Sequence, residues 1–155
     1  MPSRLERSVV PTWLLATALT AIGWWFGSGT HPVWWATWLA PLPVLWLASR
    51  VRTPWAVAAA FLAMAVGSSN LWSYMYTHIR LPVGVVIYAM VLPGFMFALC
   101  VLLHRRLLLR GRPFAAVLAV PAMWVTLAFV NNLLSPHCTF FDIGYTQMDA
   151  LPVIQ

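Results

Sequence analysis

Five apolar runs, each close to the length of a membrane-crossing helix, make up most of the chain and limit what it can fold into. They cover residues 9–26, 33–48, 55–77, 81–104 and 114–134. A spanning helix needs roughly 20 apolar residues, with about 17 to 25 allowed. Of the 155 residues, 62% are hydrophobic and 8% charged, whereas about 25% are charged in a typical soluble domain. We therefore predict an all-α, polytopic membrane helix bundle with about five transmembrane helices, forming one domain over residues 1–155 without a soluble domain.

The second run differs from the others because two prolines, Pro41 and Pro43, lie near its middle. A proline lacks the N–H that a helix needs, and its ring clashes with the preceding turn. The run is therefore expected to be kinked or broken, as a tilted or re-entrant element, and whether it crosses the bilayer completely stays open. Pro93 and Pro121 predict kinks in the fourth and fifth runs, which packed neighbouring helices tolerate.

The first run ends in Trp24-Trp25-Phe26, which is typical of the aromatic belt at a membrane–water interface. Gly23 and Gly27 form a GxxxG pattern, but the bulky Trp24 and Trp25 between them make it weak evidence for close helix packing. No small-x-small cleavage site follows the run, so we interpret it as a retained signal anchor.

The arginines predict the orientation of the chain. All nine basic residues are arginines, and eight of them lie before the first run, between the second and third, or between the fourth and fifth. With five spans these segments share one side, and only Arg80 lies on the other. The positive-inside rule then places the N-terminus in the cytoplasm. Residues 135–155 become an outer loop, at the periplasmic face of a bacterial inner membrane.

The same arginines give the chain a net charge of +6. In a soluble chain this charge would favour nucleic acid, but beside membrane spans it is explained by topology, so no nucleic-acid partner is expected. Between the fourth and fifth runs, Arg105, Arg106, Arg110 and Arg112 either anchor the topology or bind anionic lipid head groups.

The polar segment 135–155 holds the side chains that come nearest to a catalytic set. Cys138 has His137 beside it and Asp142 four residues further on, and a thiol nucleophile needs such a base held in fixed geometry. Asp142 and Asp149 form an alternative pair of carboxylates. Nothing else supports either set, and the histidines and cysteines lack the paired spacing of zinc ligands. We therefore assign no catalytic, metal-binding or cofactor-binding residue.

Polar residues inside the apolar runs are more informative, because they are costly in hydrocarbon unless paired. They cluster at Ser68, Ser69 and Asn70 in the third run, and Asn131 and Asn132 close the fifth. Such groups either bond neighbouring helices together or line a polar site near the outer leaflet that holds a lipid head group.

Four stretches resemble one family, the apolipoprotein N-acyltransferases of bacterial inner membranes. These stretches are His31-Pro32-Val33-Trp34-Trp35, the run from Gly67 to Tyr74, Pro121-Ala122-Met123-Trp124, and Ile143-Gly144-Tyr145-Thr146-Gln147 followed by Pro152-Val153-Ile154-Gln155. The last is the most specific, since it is similar to the family's glycine–tyrosine–serine/threonine–glutamine run in the periplasmic loop. The residues that carry the family motifs are Trp124, Gly144, Tyr145 and Gln147.

The resemblance implies the membrane portion of an enzyme that transfers a fatty acyl group from a phospholipid to the amino group of a lipoprotein's lipidated N-terminal cysteine. Its partners are then the phospholipid acyl donor, the lipoprotein and membrane lipids. The family's catalytic module is a nitrilase-like domain with a glutamate–lysine–cysteine triad, which lies beyond the portion that this chain resembles. The chain alone is therefore expected to be inactive, as a truncated, split or degenerate form whose catalytic domain is absent or belongs to a separate chain.

The chain departs from the family pattern at two places, and the one in the fifth run fits an alternative. Ala128-Phe129-Val130 stand where the family has a glutamate–x–arginine type of polar pair, and Cys138-Thr139-Phe140 replace a phenylalanine–proline–tryptophan run. The alternative is a non-catalytic membrane module that binds lipid or a partner subunit. A small transporter is disfavoured, because no ionisable residue lies deep in a span, where ion-coupled transporters need one.

Overall fold

The computed structural model describes residues 4–134, 143–150 and 152, and within them the chain forms six α-helices and no strand. The helices are α1 (Arg4–Gly27), α2 (Trp34–Leu39), α3 (Leu42–Ala48), α4 (Thr53–Gly67), α5 (Val83–Leu109) and α6 (Pro113–Leu134). These helices pack together as a bundle in which α1, α4 and α5 make most of the contacts. The predicted all-α helix bundle is confirmed.

The break expected in the second apolar run lies between α2 and α3. Pro41 has no N–H to donate to the carbonyl of Thr37, and Pro43 has none for Leu39, so the α-helical bonding stops. The chain nevertheless keeps helical backbone angles at Ala40 and Pro41. The result is two short helices of 6 and 7 residues, neither of which is long enough to span a bilayer alone.

The third run forms α4 and then continues in two other helix types. Ser68–Leu71 is a 3₁₀-helix and Tyr74–His78 a π-helix, separated by two α-helical residues. The chain then reverses at Arg80, whose φ of 59° is in the left-handed region. Irregular helical turns of this kind are frequent at functional sites, and this one lies beside the cavity described below.

Three stretches of the described residues are long and apolar enough to cross a membrane: Thr53–Leu71, Val83–Leu109 and Pro113–Leu134. They correspond to the third, fourth and fifth predicted spans. The first predicted span lies on α1, whose 24 residues reach about 36 Å at 1.5 Å each. The second lies on α2 and α3. That these two segments also cross, giving five spans, stays a prediction.

Helix α4 lies between α1 and α5 and provides the centre of the core. Its buried face is built from small residues, Ala56, Ala59, Ala60 and Ala63. Small side chains let helix backbones approach closely, which is how helices associate in a bilayer without a hydrophobic driving force. Helices α2 and α3 pack on α1, and α6 packs on α5.

Gly23 and Gly27 mark a close contact between α1 and α2. A Cβ atom on Gly23 would lie 2.8 Å from Ala40 Cα, and one on Gly27 would lie 2.8 Å from Thr37 N. Neither position has room for a side chain. The GxxxG pattern, which was weak evidence in the sequence, therefore corresponds to a real helix contact.

The prediction that Trp24 belongs to an interfacial belt is wrong. Its side chain is 3% exposed, whereas those of Trp25 and Phe26 are 46% and 56% exposed. Trp24 lies one turn after the fully buried Thr20, on the face of α1 that packs against α4. Gly67 of α4 leaves room there, since a Cβ on it would collide with the Cβ of Trp24.

The arginine-rich segments come together at one end of the bundle. Arg105 of α5 donates hydrogen bonds to the carbonyl oxygen of Ala48 at the end of α3 and, at 3.2 Å, to Thr53 Oγ1 at the start of α4. Arg110 and the α5–α6 turn lie at this same end, which we call the basic end. Arg80 lies at the opposite end, before α5. Which end faces the cytoplasm stays a prediction.

Cys100 and His104 are packing residues on α5. Both are buried, and His104 Nδ1 lies 2.8 Å from the carbonyl oxygen of Ala116 in α6. That contact ties α5 to α6 near the basic end. In the described part of the chain, no three histidine, cysteine or acidic side chains come together as a metal site.

Candidate functional site

A cavity of about 470 Å³ lies inside the bundle, between its middle and the end opposite the basic end. Small-molecule sites in proteins have volumes of about 300–1,000 Å³. Its walls come from α1, α4 and the helical turns after α4, α5, α6 and the segment 143–147. The lining residues are Trp24, Ser28, Gly29, Met64, Ser68, Leu71, Met75, Ile79, Leu81, Val85, Tyr88, Ala89, Leu92, Pro93, Met96, Trp124, Ala128, Asn131, Asn132, Ile143, Tyr145 and Thr146.

The cavity has a buried, apolar inner part. Met64 and Met96 line it and are 6% and 9% exposed. Methionine side chains are flexible and polarisable, so they adapt to an irregular apolar ligand. No charged side chain is among the described lining residues, which suits uncharged, hydrocarbon-like contents.

Polar groups gather at the outer part of the cavity instead. Asn131 and Asn132 line it from the end of α6, Ser28 from the end of α1, and Tyr145 from the segment 143–147. Tyr145 and its neighbour across the opening, Tyr88, are 52% and 59% exposed. The cavity is therefore open and polar at one end and closed and apolar at the other.

Two stacked tryptophans close the inner end. The rings of Trp24 and Trp124 lie 6.2 Å apart between centroids at an interplanar angle of 15°, and Phe97 packs edge-on against Trp24 at 5.9 Å. Both indole nitrogens are buried, and neither has a hydrogen-bond partner among the residues that the structure describes. Stacking, rather than hydrogen bonding, therefore fixes the two rings.

The polar residues of the third run, Ser68, Ser69 and Asn70, do not share one role: one bonds two helices together, one bonds within its own helix and one lines the cavity. Asn70 Nδ2 donates to the carbonyl oxygens of Trp25 and Ser28, at 2.7 and 2.8 Å, and so caps the C-terminal end of α1. Ser69 Oγ bonds within its own helix. Ser68, by contrast, is buried and lines the cavity. Asn70 thus joins two helices, while Ser68 belongs to the site.

The motif segment Ile143–Gln147 forms a 3₁₀-helix that is fastened to α2. Gln147 Oε1 accepts a 2.9 Å hydrogen bond from Trp38 Nε1, and Gln147 Nε2 donates to the carbonyl oxygen of Trp34 at 3.2 Å. The hydroxyls of Thr146 and Thr37 lie 3.2 Å apart. We call this set of contacts the α2 clasp.

The α2 clasp explains how the motif residues act. Gln147 is 7% exposed and holds the segment in place rather than facing a ligand. The segment in turn brings Tyr145 to the mouth of the cavity, and Trp124 reaches the inner end from α6. Gly144 lies in the same 3₁₀ turn. Three motif residues therefore contribute to one site, two of them as lining and one as support.

The structure leaves the candidate catalytic residues of the segment 135–155 untested. His137, Cys138 and Asp142 lie outside the described residues, and Asp149 is exposed in the turn after the α2 clasp. The departures at Cys138-Thr139-Phe140 lie outside them as well.

The apolar half of the cavity could not be predicted from the sequence. Met64, Met75, Met96 and Trp24 stand in runs that are hydrophobic on all sides, so nothing distinguishes a cavity wall from a core or lipid-facing residue. The signal that the sequence did carry was polar: Ser68 of the third run and Asn131 and Asn132 at the end of the fifth all line the cavity.

A comparison with protein families bears on all these features together. The model of the apolipoprotein N-acyltransferase N-terminal domain matches residues 20–155. The chain belongs to this family. The match includes Trp124 and the motif segment of this N-acyltransferase N-terminal domain, so the resemblance carried by those residues is confirmed. Searches of curated proteins and of solved structures give no match.

Proposed function

We propose that the protein supplies the lipid-binding membrane portion of an apolipoprotein N-acyltransferase, at which a phospholipid donates a fatty acyl group to a lipoprotein. The cavity is the observation that carries the proposal. It is apolar and closed inside, polar and open at the end where the motif segment lies, and free of charged lining residues in the described part. An amphiphile matches this gradient, because its chain leaves water and its head group keeps hydrogen-bonding partners.

The proposal includes an orientation and partners. The basic end would face the cytoplasm, by the positive-inside rule, and the mouth of the cavity would face the periplasm of a bacterium. A nitrilase-like catalytic domain, on the same or a separate chain, would act at that mouth on the bound phospholipid and the lipoprotein. The described residues of this domain would bind and orient lipid and would not perform the chemistry.

A chimera tests the function. In a strain depleted of its own acyltransferase, the chain is expressed alone or joined after residue 155 to a nitrilase-like domain from a relative. Mass spectrometry of a lipoprotein's N-terminal peptide then distinguishes the N-acylated from the unacylated form. N-acylation is expected with the chimera and not with the chain alone.

The matched control carries the relative's own membrane portion on the same nitrilase-like domain. If that control restores N-acylation while a membrane-inserted chimera does not, the proposed function is wrong. Rescue by the chain alone would overturn the assignment of catalysis to the other domain. A periplasmic reporter fused after residue 155 tests the orientation, which a cytoplasmic signal would contradict.

A non-catalytic module that binds a partner subunit is the second candidate, and α6 favours it. Only 11% of a membrane-spanning stretch of α6 is buried inside the bundle. Phe129 and Val130, which stand where the family has a polar pair, are 62% and 45% exposed. A partner helix would cover this face. A membrane-inserted chimera that fails to restore N-acylation, while the chain co-purifies with a stoichiometric membrane subunit, would favour this candidate.

A further inference from the structure

We infer that the cavity accepts one fatty acyl chain of a phospholipid, methyl end first, and that the stacked pair Trp24 and Trp124 sets the longest chain it takes. The inference rests on the proposed function, which makes a phospholipid the acyl donor. It adds a selection by chain length within the membrane portion.

The volume of the cavity fits a single chain. A protein cavity of about 150 Å³ holds one benzene molecule, which has six carbons. A cavity of about 470 Å³ therefore has room for roughly eighteen carbon-sized groups on the same scale. This is one long acyl chain, and it leaves no room for the second chain of a phospholipid. A single chain is also what an acyl donor gives up.

The polarity of the walls fixes the direction in which the chain enters. The side-chain amides of Asn131 and Asn132 and the hydroxyl of Ser28 lie toward the mouth, whereas the inner part is lined by methionines and aromatic rings, with the buried Ser68 as its one hydroxyl among the described residues. An ester and its head group placed at the inner end would lose their hydrogen bonds to water. The methyl end therefore occupies the inner end.

The depth of the cavity agrees with one leaflet of a bilayer. On α5 the lining extends from Val85 near the mouth to Met96 at the inner end, and the eleven helical steps between them correspond to about 17 Å. Half of a bilayer's hydrocarbon core is about 15 Å. A chain in the cavity thus stays at the depth that it has in the membrane.

The inner end of the cavity is closed by Trp24 and Trp124, which we call its floor, and neighbouring side chains hold both rings in place. Trp24 is 3% exposed, and Phe97 and the contact with Gly67 hold it from two other sides. Trp124 stacks on it from the opposite wall. A chain that is too long meets two large rings that pack against the hydrophobic core, and overpacking such a site is destabilising.

Binding of single-chain lipids tests the inference directly. The purified full chain is titrated with lysophosphatidylethanolamines whose saturated chains range from well below to above the expected limit, and native mass spectrometry gives the bound fraction. Each methylene transferred from water is worth a factor of about four in affinity. We expect the affinity to rise by this factor per methylene and to stop rising at roughly eighteen carbons.

Two variants move the limit in opposite directions. Trp124→Ala removes half of the floor, so chains longer than the wild-type limit should gain about fourfold in affinity per additional methylene. Ala128→Leu fills space one turn away on the same wall, so the limit should move to shorter chains. Val125→Ala is the matched control, since Val125 is 65% exposed and does not line the cavity.

The outcomes separate the inference from the proposed function. Binding that rises with chain length and never stops, or a limit that is the same in Trp124→Ala, Ala128→Leu and the wild type, would overturn the length selection while leaving lipid binding in place. Failure to bind a chain of any length would overturn the lipid-binding role itself. A diacylglyceryl peptide that displaces the lysolipid more strongly than a phospholipid does would show that the chain belongs to the acceptor, against the inference.

Discussion

Replacing Gln147 by alanine is expected to loosen the α2 clasp without unfolding the bundle. The substitution removes the hydrogen bonds to Trp38 Nε1 and to the carbonyl oxygen of Trp34. A typical intramolecular hydrogen bond contributes about 1 kcal/mol net. Trp38 is 60% exposed, so its N–H is left near the protein surface in the variant rather than in the core. The segment 143–150 should therefore lose about 2 kcal/mol of its attachment to α2.

Hydrogen exchange measures this loss locally. The amide of Ala150 donates to the carbonyl oxygen of Gln147 at 2.9 Å, and that of Met148 donates to Tyr145. Since 1.4 kcal/mol is a factor of ten, about 2 kcal/mol should reduce the protection of these amides roughly 30-fold. Exchange in α4 and α5 should stay unchanged. Gln147→Glu should lose more, because it places a negative charge beside the carbonyl oxygen of Trp34 at a site that is 7% exposed.

Met148→Ala is the control for this experiment. Met148 is adjacent to Gln147 and 61% exposed, so truncating it removes local bulk without a buried contact. If Gln147→Ala leaves the protection of 143–150 unchanged, or if Met148→Ala lowers it equally, the segment is not held by the glutamine and the account of the motif is wrong.

Three further predictions concern the bundle itself and are checked by thermal unfolding in detergent. Gly23→Ala should cost about 1–3 kcal/mol of stability, because the added methyl group overpacks the contact with α2. Its control is Gly84→Ala, where a Cβ meets nothing within 4 Å and should stabilise α5 by about 0.5–1 kcal/mol. Equal effects of the two substitutions would contradict the close contact. Arg105→Ala should cost about 1–3 kcal/mol by uncapping α3, and the exposed Arg106→Ala should change little, so the reverse order would refute the cap. Asn70→Ala should cost about 2 kcal/mol for its two hydrogen bonds to the end of α1, and an unchanged melting temperature would show that water replaces them.

Much of the fold could be predicted from the sequence, because the physics that decides it is local. The apolar runs predicted the helices α4, α5 and α6, and Pro41 and Pro43 predicted the break between α2 and α3. Each of these follows from length, hydropathy or a missing N–H. The helix types after α4 did not follow, since a change from α to 3₁₀ and π turns depends on which neighbours accept the freed bonds.

The faces of the helices were the part that could not be predicted. Helices that are hydrophobic all round carry no amphipathic signal, so their buried stripe depends on partners that a single sequence does not reveal. Trp24 and Trp25 are adjacent and chemically identical, yet one is in the core and the other is exposed. The GxxxG pattern was undervalued for the same reason, because Trp24 points away from the α2 contact that Gly23 and Gly27 make.

The glycine contacts described for α1 also determine which wall of the cavity is able to yield. Gly23 and Gly27 bring α1 into close contact with α2, and Gly67 brings α4 into close contact with α1 at Trp24 and Ala21. These contacts leave α1 and α4 little room to move. Among the described helices, α6 makes extensive contacts only with α5. A guest of greater width is therefore accommodated by movement of α6 near the mouth, at Asn131 and Asn132, while Trp124 stays stacked on Trp24 at the inner end.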